Sequence, residues 1–196
     1  SWDSMDARAR RTFLAAFFAG GHDVIIGRRH FTDDAVDTSA LAGSGTLSVA
    51  EHRAYTRLAI HAMQSLYEAN RWVRYVAVFQ NWLRPAGAIF DHLHKQLVGI
   101  DERGVTSQLE LQKVRVNPNL YNEMAVDYAA YQGLLVASNA HAVAFAGFGH
   151  RYPTLEVYST SAMPEPWLMS REEVDAVADL VHALHAATGA DVPSNE

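Results

Sequence analysis

Two imidazoles and an amide recur at alternate positions in His92-Leu93-His94-Lys95-Gln96. On a β-strand, alternate side chains share a face, so His92, His94 and Gln96 would form one polar row. Leu93, Leu97 and the stem of Lys95 would turn the other way. Imidazole offers two chemistries in such a row: nucleophilic attack with a covalent intermediate, and neutral nitrogen ligation of a metal. Spacing alone leaves open a third reading, a row that simply faces solvent. Ahead of it lie Phe79-Gln80-Asn81 and the small-residue run Ala86-Gly87-Ala88.

The rest of the composition narrows the classes that need consideration. With 49% hydrophobic, 19% charged and 10% aromatic residues in 196, the chain can bury a core of one large domain or two small ones. No apolar run reaches the ~18 residues of a membrane span and no signal-peptide layout opens the chain, so no membrane partner is expected and the expected location is the cytoplasm. A net charge of -6 argues against nucleic acid as a partner. Zero cysteines exclude a disulfide framework, a thiol nucleophile and a self-contained thiolate metal site. Only Lys95 and Lys113 among the 16 basic residues are lysine.

The elements that must position the row can be read from periodicity and caps. Phe13, Leu14, Phe17 and Phe18 predict an N-terminal helix from Met5 to Ala19. Asp23-Val24-Ile25-Ile26-Gly27 reads as a buried strand. Ser48 with Glu51 forms a capping box for a helix to about Ala69, with Tyr55, Leu58, Ala59, Ala62, Met63 and Leu66 on one face. Strands follow at Trp72 to Phe79 and Leu93 to Ile100, separated by an Arg84-Pro85-Ala86-Gly87 turn. Later, Asn119 to Tyr131 predicts a helix, and Gly133 to Ala137, Ala142 to Ala146 and Leu155 to Ser159 predict strands. Ser170 and Glu173 cap a final helix that Gly189 ends. The pattern is α+β with antiparallel sheet and two similar halves.

The segment Phe79-Gln80-Asn81, Ala86-Gly87-Ala88, His92-Leu93-His94-Lys95-Gln96 resembles the galactose-1-phosphate uridylyltransferase branch of the histidine-triad superfamily. Gly21-His22-Asp23-Val24-Ile25-Ile26 with His30 is similar to an upstream strand of that family. Ser138 to Phe145 and Arg151 to Val157 resemble the start of its second repeat. The resemblance runs from about Gly21 to Leu184. It implies a tandem histidine-triad-like fold, with a first repeat over residues 1–112 and an incomplete second over 113–196. It also implies a nucleotidyltransferase acting on a nucleotide or nucleotide-sugar, with a phosphate acceptor. His94 matches the family's nucleophile and Gln96 the residue that steadies the phosphoryl group. Asn81 and Gly87 fall at substrate-binding positions, and His30 and His92 match zinc ligands whose partners would lie outside this chain. A homodimer is the family's habit.

The sequence departs from that pattern at Ile89, which replaces a phosphate-donating Ser, and at Asp91 and Leu93, which replace prolines. These departures keep two alternatives in view: a dinucleoside polyphosphate hydrolase or phosphorylase, and a non-catalytic nucleotide-binding module. With Ser1 at one end and Pro193-Ser194-Asn195-Glu196 at the other, the chain reads as a fragment. Glu110, the His182 and His185 pair, and Arg28, Arg29, Arg71, Arg74 and Arg84 are weaker candidates for metal or phosphate. Trp82 reads as a core aromatic or as a base-stacking ring.

Overall fold

The computed structural model describes residues 4–10, 20–37 and 39–196. A helical turn occupies residues 7–10, and most of the expected N-terminal helix lies outside the described residues.

The first sheet has three antiparallel strands, β1 (Gly21–Ile26), β2 (Tyr75–Phe79) and β4 (His94–Ile100), in the order β1-β4-β2. The central strand β4 therefore bonds on both edges. Val24 and Phe79 lie opposite Gln96, and Ile26 lies opposite His94. One face of this sheet carries Ile25, Val76 and Leu97 into a core with Leu47, Val73, Trp82 and Leu93. Helix α1 (Val49–Ala69) covers that face with Tyr55, Ala59 and Leu66. These positions recur every three to four residues, or twice that, as a single helical face requires. The capping box at its start is present: Ser48 Oγ accepts from the Glu51 amide, and Glu51 accepts from the Ser48 amide at 2.8 Å.

The opposite face of the same sheet carries exposed side chains at its β1 edge. Val24 and Ile26 are exposed and Ile25 is buried, so β1, expected from its β-branched run to be a buried strand, is buried on one side only. Leu58, placed by periodicity on the buried face of α1, is also exposed.

The second sheet is a meander of β5 (Leu135–Ser138), β6 (Ala142–Ala146) and β7 (Leu155–Ser159). Its central strand is covered on both faces. Phe145 packs with Ala125 and Ala129, the latter on α3 (Asp127–Tyr131), while Ala142 and Ala144 pack with Leu180 of α4 (Arg171–Thr188). Helix α2 (Val105–Val116) has no counterpart in the sequence reading and contains the expected 112/113 boundary. In the first half the long helix stands between β1 and β2, whereas in the second it follows all three strands.

Ion pairs and a strand pairing are among the contacts that join the halves. Arg53 on α1 makes a two-pronged bond to Asp179 on α4 at 2.7 and 2.6 Å, and Arg57 pairs with Asp175 one turn along. A short strand β8 (Ser194–Asn195) pairs antiparallel with β3 (Asn81–Trp82). No helix among the described residues is long and apolar enough to cross a membrane.

Candidate active site

His94 opens β4 and turns toward the sheet's outer face, yet it is only 2% exposed. Its Nδ1 lies 2.7 Å from the His92 main-chain oxygen. A carbonyl can only accept, so Nδ1 carries a proton and, in the neutral ring, Nε2 carries the lone pair. That Nε2 is buried and has no hydrogen-bond partner among the described residues. A buried ring nitrogen with no partner is costly unless something else uses it. Phe90 stacks on the ring with centroids 4.0 Å apart.

Gln96 is two residues along the same strand face, half-buried. His92 is not in that row. It precedes the strand in a bend, with its Nε2 donating to the Gly27 carbonyl at 2.7 Å and its ring stacked 4.6 Å from His30. His30 in turn stacks on Phe31 at 4.3 Å. Strand alternation thus pairs His94 with Gln96 and leaves out His92, because the chain is not extended at His92.

Asn81 and Gly87 meet each other. A Cβ built on Gly87 would lie 3.5 Å from the Asn81 side-chain nitrogen. Gly87 has φ of +95°, a left-handed conformation that glycine adopts without strain. Between them Leu83 has φ of 67° and ψ of 157°, a region nearly reserved for glycine. Its carbonyl accepts from the amides of Ala86 and Ala88 at 3.1 and 3.2 Å, which holds the turn despite the strain. Ile89, where a phosphate donor was missing from the sequence, is exposed on this loop.

A zinc ion can be tested against His30 and His92. Donation from His92 Nε2 to a carbonyl frees Nδ1 for metal, the arrangement that outer-shell partners commonly impose on ligating histidines. His30 stacks beside it with the rings 25° from parallel, which places the two imidazoles together. Among the described residues, no group of three or more His, Cys, Asp or Glu completes a metal site.

Behind β4 stands a second polar group that sequence reasoning missed. Lys95 is 4% exposed and pairs with the Glu196 carboxylate. Glu196 also meets His185 Nε2 at 3.2 Å. Burial alone would raise the Glu196 carboxyl, but Lys95 and His185 outweigh it and lower it to about 2. His52, 1% exposed on α1, has no partner on either ring nitrogen among the described residues, and burial lowers it to about 4. Burial also pushes the neighbouring Tyr55 hydroxyl up. The available signal was positional: His52 precedes Tyr55 by three residues on the buried face of α1.

Other candidates have structural partners. His182 Nε2 donates to the Leu47 carbonyl at 2.8 Å, and Trp82 is a core residue whose Nε1 donates to the Ala190 carbonyl at 2.7 Å. Arg29 binds Asp33 and Glu51, and Arg71 lies over Trp72.

Residues 2–196 match the family described as a domain of unknown function (DUF4921). The chain belongs to this family. No curated protein matches it. Among solved structures, this DUF4921 chain resembles a uridylyltransferase at TM-score 0.69 and 17% identity, covering 89% of this chain and 55% of that one. It also resembles a GalT-like protein from Arabidopsis thaliana at TM-score 0.66 and 17% identity, covering 90% and 56%. An ADP-glucose phosphorylase from the same plant, solved with bound ADP-glucose, matches at TM-score 0.66 and 14% identity, covering 90% and 54%. The chain spans a little over half the length of these structures. At these identities the likeness establishes the fold alone.

Proposed function

We propose that this chain carries the nucleophilic half of a nucleotidyltransferase site, with His94 as the residue that takes a nucleoside monophosphate. The observation that carries the reading is the state of the His94 ring. Nδ1–H is committed to a main-chain carbonyl, which fixes the tautomer and leaves Nε2 buried, without a partner among the described residues, and nucleophilic.

In the first step the Nε2 lone pair forms an N–P bond to the α-phosphorus of a nucleotide or nucleotide-sugar. The bond from that phosphorus to the bridging oxygen breaks, and the leaving phosphate keeps the electron pair. In the second step an oxygen of an acceptor phosphate attacks the same phosphorus, and the N–P pair returns to Nε2. The Nδ1–H bond to the His92 oxygen stabilises the positive charge that the ring bears between the steps. Gln96 can donate its amide to a non-bridging oxygen from the same strand face. It brings no acid to protonate a leaving group, which favours transfer to an acceptor over loss to water. Asn81, backed by the Gly87 turn, lies at the substrate-binding position of the resemblance, and His30 with His92 would hold zinc beside the strand's lead-in. The fold shared with a uridylyltransferase and with an ADP-glucose phosphorylase that binds ADP-glucose supports the reading.

The test is mass spectrometry of the full natural chain mixed with UDP-glucose, ADP-glucose, ATP or a dinucleoside polyphosphate. The expected result is an added nucleoside monophosphate on His94, absent in His94→Ala and discharged by a sugar phosphate or inorganic phosphate. An unmodified protein with every donor would overturn the reading.

A further inference from the structure

The segment from Ala190 to Glu196 borders the site at Asn81 and at the strand that carries His94. Trp82, next to Asn81, donates its indole N–H to the Ala190 carbonyl at 2.7 Å. Asn195 lies opposite Asn81 in the β3–β8 pairing, and its amide, turned to donate, reaches the Ala86 carbonyl at 2.9 Å, beside Gly87. Glu196 and Gln80 exchange both main-chain bonds at 2.9 Å. The Glu196 carboxylate then crosses beneath the sheet to Lys95, the neighbour of His94 on β4.

That last contact reaches the nucleophile through strand geometry. Successive side chains of a strand leave on opposite faces, so a roll of β4 that moves Lys95 moves His94 the other way. Lys95 is buried with its ammonium 5.6 Å from the Tyr55 ring centre, and His52, His182 and His185 stand nearby on α1 and α4. A buried ammonium is tolerated when a carboxylate partners it, and Glu196 is that partner.

We propose that Glu196 is a positioning residue for His94: by clamping Lys95 from behind and Gln80 along its main chain, it fixes the roll of β4 relative to Asn81 and Gly87. The inference rests on the reading of His94 as the nucleophile, and the experiment separates the two.

The full natural chain labelled with ¹⁵N-histidine is compared with its Glu196→Gln variant and with the double variant K95M/E196Q. The double variant removes the buried ammonium and so keeps the fold if Glu196→Gln alone loses it. In the wild-type protein His94 shows a single tautomer protonated at Nδ1. In the variants its ¹⁵N shifts move toward averaging of the two nitrogens, and adduct formation at saturating donor slows by between about tenfold and a hundredfold while half-saturation stays unchanged. A folded variant with wild-type His94 shifts and wild-type rate overturns the proposal. So does a double variant that regains both, because Glu196 would then only neutralise Lys95. If no adduct forms in the wild-type protein, the nucleophile reading fails, and the ¹⁵N shifts alone still decide whether Glu196 positions the ring.

Discussion

Phe90 lies nearly parallel to the His94 imidazole, with centroids 4.0 Å apart and planes 26° from parallel. Phe90 is 40% exposed while His94 is 2% exposed, so one face of the ring is sealed by an aromatic side chain that itself meets water. Phe90→Ala removes that cover. Carbethoxylation of His94 by diethyl pyrocarbonate, followed by peptide mass spectrometry, is expected to accelerate in the variant. The lost stacking costs about 1 kcal/mol of stability. Equal labelling of the two proteins would show that another group covers the ring.

Gln96 is half-buried on the face of β4 turned away from the packed core, so removing its amide should leave the fold intact. Gln96→Leu is expected to slow nucleotidyl transfer to His94 by about a hundredfold, in line with the loss of one donor to a developing phosphoryl charge. Donor binding measured by calorimetry should change far less than the rate. A variant with wild-type transfer kinetics would remove Gln96 from the site.

The parts of this arrangement that were legible in the sequence are those governed by local rules. The two capping boxes at Ser48 and Ser170 mark α1 and α4 because a helix start needs side-chain acceptors for its free amides. The two-residue period of β4 placed His94 beside Gln96 and Leu93 with Leu97 in the core. His92 escaped the same rule because a bend precedes the strand and periodicity has no meaning there. The Lys95–Glu196 pair was illegible for a different reason: the partners are far apart in sequence, and a lysine within an apolar strand gives no sign of which carboxylate will reach it. Helix α2 has no buried residue, so no apolar stripe announced it. Leu83 stands where only the surrounding turn, not its own preference, sets the backbone.

His92 and His30 make a prediction that needs no catalysis. With Nε2–H of His92 held by the Gly27 carbonyl, a zinc ion should reach His92 through Nδ1. Elemental analysis of the full natural chain is expected to give one zinc per protein, lost in His30→Ala and in His92→Ala. The tie of β4 to its lead-in would loosen with it, so chelation should lower the melting temperature. Metal-free protein from zinc-supplemented expression would take both histidines off the list of ligands.

His52 and Glu196 are expected to make stability fall with acid in two separate windows. Burial lowers its ring from 6.5 to about 4, so between those values the unfolded chain binds a proton that the folded one does not. Folding stability therefore falls as pH drops from about 6.5 to about 4, by roughly 3 kcal/mol in all, and levels off below that for this group. Glu196 acts in a lower window: its carboxyl, lowered from 4.5 to about 2, contributes stability that is present above 4.5 and lost as pH falls toward 2. The two limbs can be separated. His52→Phe fills a similar volume without a titrating nitrogen, so urea unfolding should show the upper limb flattened and the lower one intact. A curve for His52→Phe that still falls between pH 6.5 and 4 as the wild-type curve does would assign the acid sensitivity to another group.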